Sequence, residues 1–258
     1  MRQEARTPTR GEVMHQEDTA SARVDLLTLP FDQYQRYRVV AEVADPVRLY
    51  LDQPQLRVLD VGGFHRTRKG RPLLPVTHVL PSDFTVATDL GDGVPRNYVR
   101  ASGTSLPFRS EVFDLVVTCD TLEHIPAASR AAFVDELLRV ATACVLLIAP
   151  FDSEPTQRAE RILREHLASR GCAHAPLEEH FERGLPSAGT LHAQLTANRL
   201  SFIEFADGYL PHWLPMMAMQ LASRVTPAFL AELNRFYNRH FSPTDRREPA
   251  YRRAFVIA

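Results

Sequence analysis

The sequence predicts an α/β fold built on a mostly parallel sheet. Short apolar runs of strand length alternate along the chain with longer segments whose apolar residues recur at helical spacing. Two of those runs end on an acid, Asp60 and Asp89, and strand ends are where open parallel sheets bind ligands. At 258 residues the chain suits one decorated α/β domain or two small ones.

Residues 1–27 read as a polar tail, since "MRQEARTPTRGEVMHQEDTASARVD" has no apolar core of the secretory kind. "PFDQYQRYRVVAEVADPVRLYL" (30–51) reads as one or two helices, broken or restarted at Pro46. "LRVLDV" (56–61) is a first strand, suited to burial on both faces. Pro72, Pro75 and Pro81 argue against a regular helix in the next segment. Further strands are expected at 84–90, 97–102, 112–120, 143–151, 201–209 and 250–258. Helices are expected at 127–142, 153–171, 189–199, 212–223 and 227–240. The stretch "CAHAPLEEHFERGLPSAGT" reads as a loop rich in His and Glu. The domain reading follows: helices over 28–55, a ligand-binding core over 56–151, and covering helices with the last strands over 152–258.

A net charge of −1 gives no bulk field for nucleic acid or an anionic membrane, so neither is an expected partner. No apolar run reaches membrane-spanning length. Cys119, Cys144 and Cys172 are scattered and odd in number, which suits a reducing, cytoplasmic location rather than a disulfide framework.

The turn after the first strand, "VLDVGGFHRTRKG", carries Asp60, Gly62 and Gly63. Glycines there permit a sharp turn and a close backbone approach to a ligand. Asp89 lies about 30 residues past that turn and can accept hydrogen bonds from both hydroxyls of a ribose. Both features suit a nicotinamide or a nucleoside cofactor. The downstream block separates them. "ASGTSLPFRSEVFDLVVTCDTLEHIPAASRAAFVDELLRV" (101–140) resembles the central block of class I S-adenosylmethionine-dependent methyltransferases, through Leu106-Pro107-Phe108, Phe113 to Val117, Leu122-Glu123-His124 and the Leu137 to Val140 run.

The resemblance implies a Rossmann-like class I methyltransferase fold, with a seven-stranded sheet in the order 3-2-1-4-5-7-6, the last strand antiparallel and helices on both faces. It implies S-adenosyl-L-methionine as cofactor, S-adenosyl-L-homocysteine as product, and methyl transfer to an oxygen or nitrogen of a small molecule of sugar or secondary-metabolite type. Asp60, Gly62 and Gly63 would face the methionine end. Asp89 and Leu90 would hold the ribose side, Ser102 and Gly103 would lie beside the adenine, and Cys119 and Asp120 would sit near the sulfonium. The chain departs from the family at Phe64 and Arg66, where further glycines are usual, and at Ser102, where an acid is usual. Phe64 must therefore re-route the loop. A non-catalytic relative and a nicotinamide-dependent oxidoreductase stand as alternatives.

Transfer to an alcohol or phenol needs a base poised near neutral pH. His124 and His180 are the first candidates, with His174 and His192 behind them; for His124 the competing reading is a residue packed under the following helix. No metal is assigned, because His174, Glu178, Glu179 and His180 follow no metal-ligand spacing. Arg66, Arg68, Lys69 and Arg71 are either a solvated loop or a grip on an anionic acceptor. "YLPHWLPMMAMQLA" (209–222) is either a packed helix or a lid, and Tyr34 and Tyr37 are candidates to close the pocket.

Overall fold

A computed structural model describes residues 25–66, 72–91, 96–221 and 225–258. Its main sheet has seven strands: β1 (Arg57–Val61), β2 (Phe84–Asp89), β3 (Tyr98–Arg100), β4 (Phe113–Cys119), β5 (Ala141–Pro150), β6 (Phe202–Tyr209) and β7 (Ala250–Ile257). Their spatial order is 3-2-1-4-5-7-6, as expected. β3, β2, β1, β4 and β5 run parallel, and β7 lies antiparallel between β5 and β6. All seven residues of β4 are buried, so its unbroken apolar run marks the centre of the sheet.

Helices α1 (Phe31–Leu51) and α2 (Pro75–Val79) cover one face, where Tyr37, Val40, Ala44, Val47 and Val76 pack on alternate residues of β1, β4 and β5. Helices α3 (Arg130–Val140) and α6 (Ala188–Ala197) cover the other through Phe133, Leu137, Leu191 and Leu195. Helices α4 (Glu154–Ser169), α5 (Ala175–Arg183), α7 (Leu210–Leu221) and α8 (Pro227–His240) form a third cluster beyond the strand ends. Its centre is Trp213, stacked 3.6 Å from Tyr251 of β7.

Two elements differ from the sequence reading. Pro46 neither breaks nor restarts α1. Pro46 and Glu42 are both exposed, so water can satisfy the carbonyl the proline leaves unbonded, while buried Val40, Ala44 and Val47 anchor the helix on either side. The expected loop after residue 172 contains α5, started by Pro176 and fixed by inward-facing Leu177 and His180 one turn apart. The proline-rich segment keeps only the five residues of α2, with Pro75 in its first turn. Among the described residues no helix is long and apolar enough to cross a membrane.

Candidate functional site

The tips of β1, β2 and β3 bring the predicted cofactor residues side by side. Asp60 stands level with Ala87 of β2 and Val117 of β4. Its carboxylate is fully buried and accepts a 2.7 Å hydrogen bond from the Tyr37 hydroxyl, while its Oδ1 has no partner among the described residues. Burial lifts this carboxyl to about 7, against the opposing pull of Tyr37 and Arg36. Gly62 makes the turn at φ +83°, and its N–H donates to the Thr88 carbonyl at 2.7 Å.

The space that a Cβ would take at these glycines is filled by the chain's own side chains. A Cβ on Gly62 would lie 2.1 Å from Thr121 Oγ1, and one on Gly63 would lie 2.2 Å from the Asp60 carboxylate. At Gly103 it would meet the Phe133 ring at 2.3 Å. Each gives room to one of the chain's own side chains.

Asp89 ends β2. It is half-buried and takes backbone N–H groups from Leu90 at 2.5 Å and from Phe64 and Gly91. Burial raises its carboxyl, and those amides oppose the rise. Leu90 beside it is 63% exposed, an apolar platform in contact with water. The Phe64 ring packs 5.1 Å from Tyr98 and against Gly91, where a Cβ would approach it to 2.7 Å. Ala101 donates to the Asp89 carbonyl at 3.0 Å, which sets Ser102 at the neighbouring tip, its hydroxyl 2.8 Å from that of Thr104.

A cavity of about 250 Å³ opens beyond β4 and β7; His65, four residues past β1, lies on its wall, whereas Asp60, Asp89, Leu90, Ser102 and Gly103 do not line it. Asp120 lies on its wall, directly after β4, in a left-handed conformation with φ +50°. Arg252 of β7 grips both its oxygens at 2.7–2.9 Å, and Arg36 of α1 reaches it at 2.9 Å. Burial alone would raise the Asp120 carboxyl, but the two guanidinium groups hold it at about 2. Arg36 is shared with Asp32 at 3.2 Å, so two buried cations face two carboxylates. Cys119 is buried in the core against α1, where burial pushes its thiol far up.

The same cavity gathers His65, Glu123, His124, His174 and His180. Burial lowers His124, helped by the neighbouring His180 and opposed by Glu179. Burial also lowers His174, and takes His65 down to about 4. The Glu123 carboxyl is pushed well above its ordinary range by burial and then by the charge on Asp120. Trp213, Met217 and Leu221 of α7 complete the wall, so this Met-rich helix both packs and covers the cavity. His192 stands apart, bonded to Glu204 at 2.7 Å and stacked on Phe202. Tyr37 lies under Asp60 rather than at the mouth. Arg68, Lys69 and Arg71 fall outside the described residues.

The profile of a methyltransferase-domain family matches residues 76–148, a span that begins after the altered glycine turn. No curated protein matches the sequence. Among solved structures, the plantazolicin methyltransferase BpumL, crystallised with a triazolic desmethylPZN analogue and SAH, superposes with a TM-score of 0.53 over 89% of this chain and 85% of its own, at 8% identity. The chain has the class I methyltransferase fold. Magnesium protoporphyrin IX methyltransferase from Synechocystis PCC 6803, solved with bound SAH, gives a TM-score of 0.49 at 11% identity, over 88% of this chain and 84% of that one.

On this methyltransferase fold, three cavity residues escaped the sequence reading. Arg36 and Arg252 were not singled out; period-2 alternation in "AYRRAFVI" turns Arg252 inward with Ala254 and leaves Arg253 more exposed. His65 was visible only as an intruder in the glycine turn. The two-residue hairpin His65–Arg66 with Pro72–Leu73 carries it into the cavity.

Proposed function

We propose that this methyltransferase domain moves a methyl group from S-adenosylmethionine to an oxygen or nitrogen of a small polar acceptor seated in the cavity beside Asp120. The observation that carries the reading is the place of that cavity beyond β4, the strand paired with acid-tipped β1, with Asp120 and His65 on its wall. The residues fit the cofactor at both ends. The unpartnered, buried Oδ1 of Asp60 suits the ammonium of the methionine part, and Asp89 with exposed Leu90 suits the ribose and adenine. The amides on Asp89 and the Phe64 ring against Gly91 stand beside the ribose position, so binding requires the 63–66 turn to give way.

When bound, S-adenosylmethionine supplies a methyl group on an already activated sulfonium, so the protein's work is alignment and proton removal. Glu179 and Glu160 accept from Nδ1 of His124 and His180 at 3.0 and 2.7 Å, which turns both Nε2 lone pairs toward the acceptor side. A proton taken there is stabilised by the carboxylate behind the ring. Trp213 and Met217 exclude water from the same space.

The test is transfer from methyl-deuterated S-adenosylmethionine to a panel of hydroxylated, phenolic and amino acceptors, read by mass spectrometry. The reading expects one labelled methyl on at least one acceptor class, and loss of that signal in His124→Asn. A second reading, a binding protein on the same fold without catalysis, draws on the Phe64 ring beside Asp89. Binding of the demethylated product with no transfer to any acceptor would favour it.

A further inference from the structure

Glu123, His124 and His180 make an arrangement that proton removal alone does not require. One donor atom from each lies within 4.8 Å of the others. Glu123 and His124 come from the single turn after β4, and His180 comes from α5. His124 Nε2 is 3.9 Å from Glu123 Oε1, and the two imidazole rings stand 5.0 Å apart. Each ring is held from behind by a different carboxylate: Glu179 on His124 Nδ1 and Glu160 on His180 Nδ1. Glu160 is itself fixed by the Tyr251 hydroxyl at 2.9 Å. A carboxylate behind each imidazole is how metal-binding histidines are oriented and made more basic.

One atom in each of two of these groups lacks a hydrogen-bond partner among the described residues. His180 Nε2 and Glu123 Oε2 are both unbonded, in residues only 8% and 1% exposed. Such atoms are costly unless something occupies the space between them. The neighbouring charges do not fill it, because Arg36 and Arg252 are already matched by Asp32 and Asp120.

We propose that Glu123, His124 and His180 bind one divalent first-row transition-metal ion, with Glu160 and Glu179 as the outer carboxylates that orient the ligands. Two imidazoles and one carboxylate suit zinc, iron, cobalt or manganese better than magnesium or calcium, which prefer oxygen ligands throughout. Bonds of about 2.0–2.2 Å draw the donors to within about 3–4 Å of one another. The cluster therefore closes by about an ångström, and His124, 28% exposed, has the room to move. Three protein ligands leave positions open toward the cavity, the pattern of a catalytic rather than a structural site. The ion's role there rests on the methyl-transfer reading. It takes the two lone pairs assigned above to proton removal and instead lowers the pKa of an acceptor hydroxyl bound to it, whose proton leaves to water. Binding of the ion itself does not rest on that reading.

The experiment titrates the full chain, stripped with a chelator and with no cofactor or acceptor present, with zinc chloride by calorimetry and with cobalt(II) by visible absorption. One equivalent of zinc should bind, and cobalt should develop the intense visible bands of a low-coordinate site. His180→Ala and Glu123→Gln should abolish both signals, Glu160→Gln should weaken zinc by about 10–100-fold, and His192→Asn should leave both unchanged. Circular dichroism checks that each variant is folded. Unchanged zinc binding in folded His180→Ala overturns the proposal, as does a cobalt spectrum identical to that of the free aqua ion. Because no methyl donor is present, failure here is separate from failure of methyl transfer.

Discussion

Phe64→Ala should tighten binding of the demethylated cofactor. The Phe64 ring lies 5.1 Å from Tyr98 and against Gly91, and its own N–H caps Asp89. An aromatic pair of this kind is worth about 0.5–1.5 kcal/mol beyond the area it buries. Opening the turn to admit a ribose gives up that contact, so the wild type binds against it. Alanine removes the ring and keeps the backbone amide, which isolates the aromatic share of the opening cost. At about 1.4 kcal/mol per tenfold, the variant should bind S-adenosylhomocysteine about 2- to 10-fold more tightly. The assay is paired isothermal titration of wild type and variant. Weaker binding by the variant refutes the reasoning, since it would mean that the ring supports the bound ligand instead of competing with it.

Asp60→Asn should stabilise the protein at alkaline pH. The folded-state carboxyl at about 7 lies above its ordinary 3.8, so the folded form binds the extra proton and stability falls as pH rises between those values. The advantage of Asn should grow by roughly 2 kcal/mol from about pH 5.5 to about pH 8 in denaturant titrations; a pH-independent difference contradicts this. Asp120→Asn leaves Arg36 and Arg252 buried without their shared carboxylate, and should cost about 3–5 kcal/mol in the same titrations. A near-neutral effect would show that water or Asp32 already carries that balance. Gly62→Ala should destabilise by at least about 1–3 kcal/mol from its left-handed backbone alone. Adding Thr121→Gly should recover only the steric part, and full recovery would mean that the backbone is not strained.

The sheet was legible because its signals are local. The apolar run of β4 and the acids at Asp60 and Asp89 depend on few neighbours, and the seven strands of the main sheet fall within two residues of the sequence reading, whereas the short hairpin of His65–Arg66 with Pro72–Leu73 was not expected. Helix α5 was missed because Pro176, Gly184 and Pro186 punctuate a polar stretch, while the inward pair Leu177 and His180 is too short to show periodicity. Pro46 misled because burial of Val40, Ala44 and Val47 on either side of it offsets the local cost of a proline inside the helix. The cavity was legible only in part. Asp120 and His124 follow a strand end, but Arg36, Arg252 and Glu160 reach them from α1, β7 and α4, and only tertiary packing joins those elements.

A cocrystal of the full chain with S-adenosylhomocysteine tests the central claim most directly. The account predicts the ribose hydroxyls on Asp89, the Phe64 ring displaced from Gly91, and the sulfur facing the cavity walled by Asp120 and His124. Crystals grown in saturating ligand that show the ring still seated between Gly91 and Tyr98, with nothing bound at the tips of β1 and β2, would contradict it.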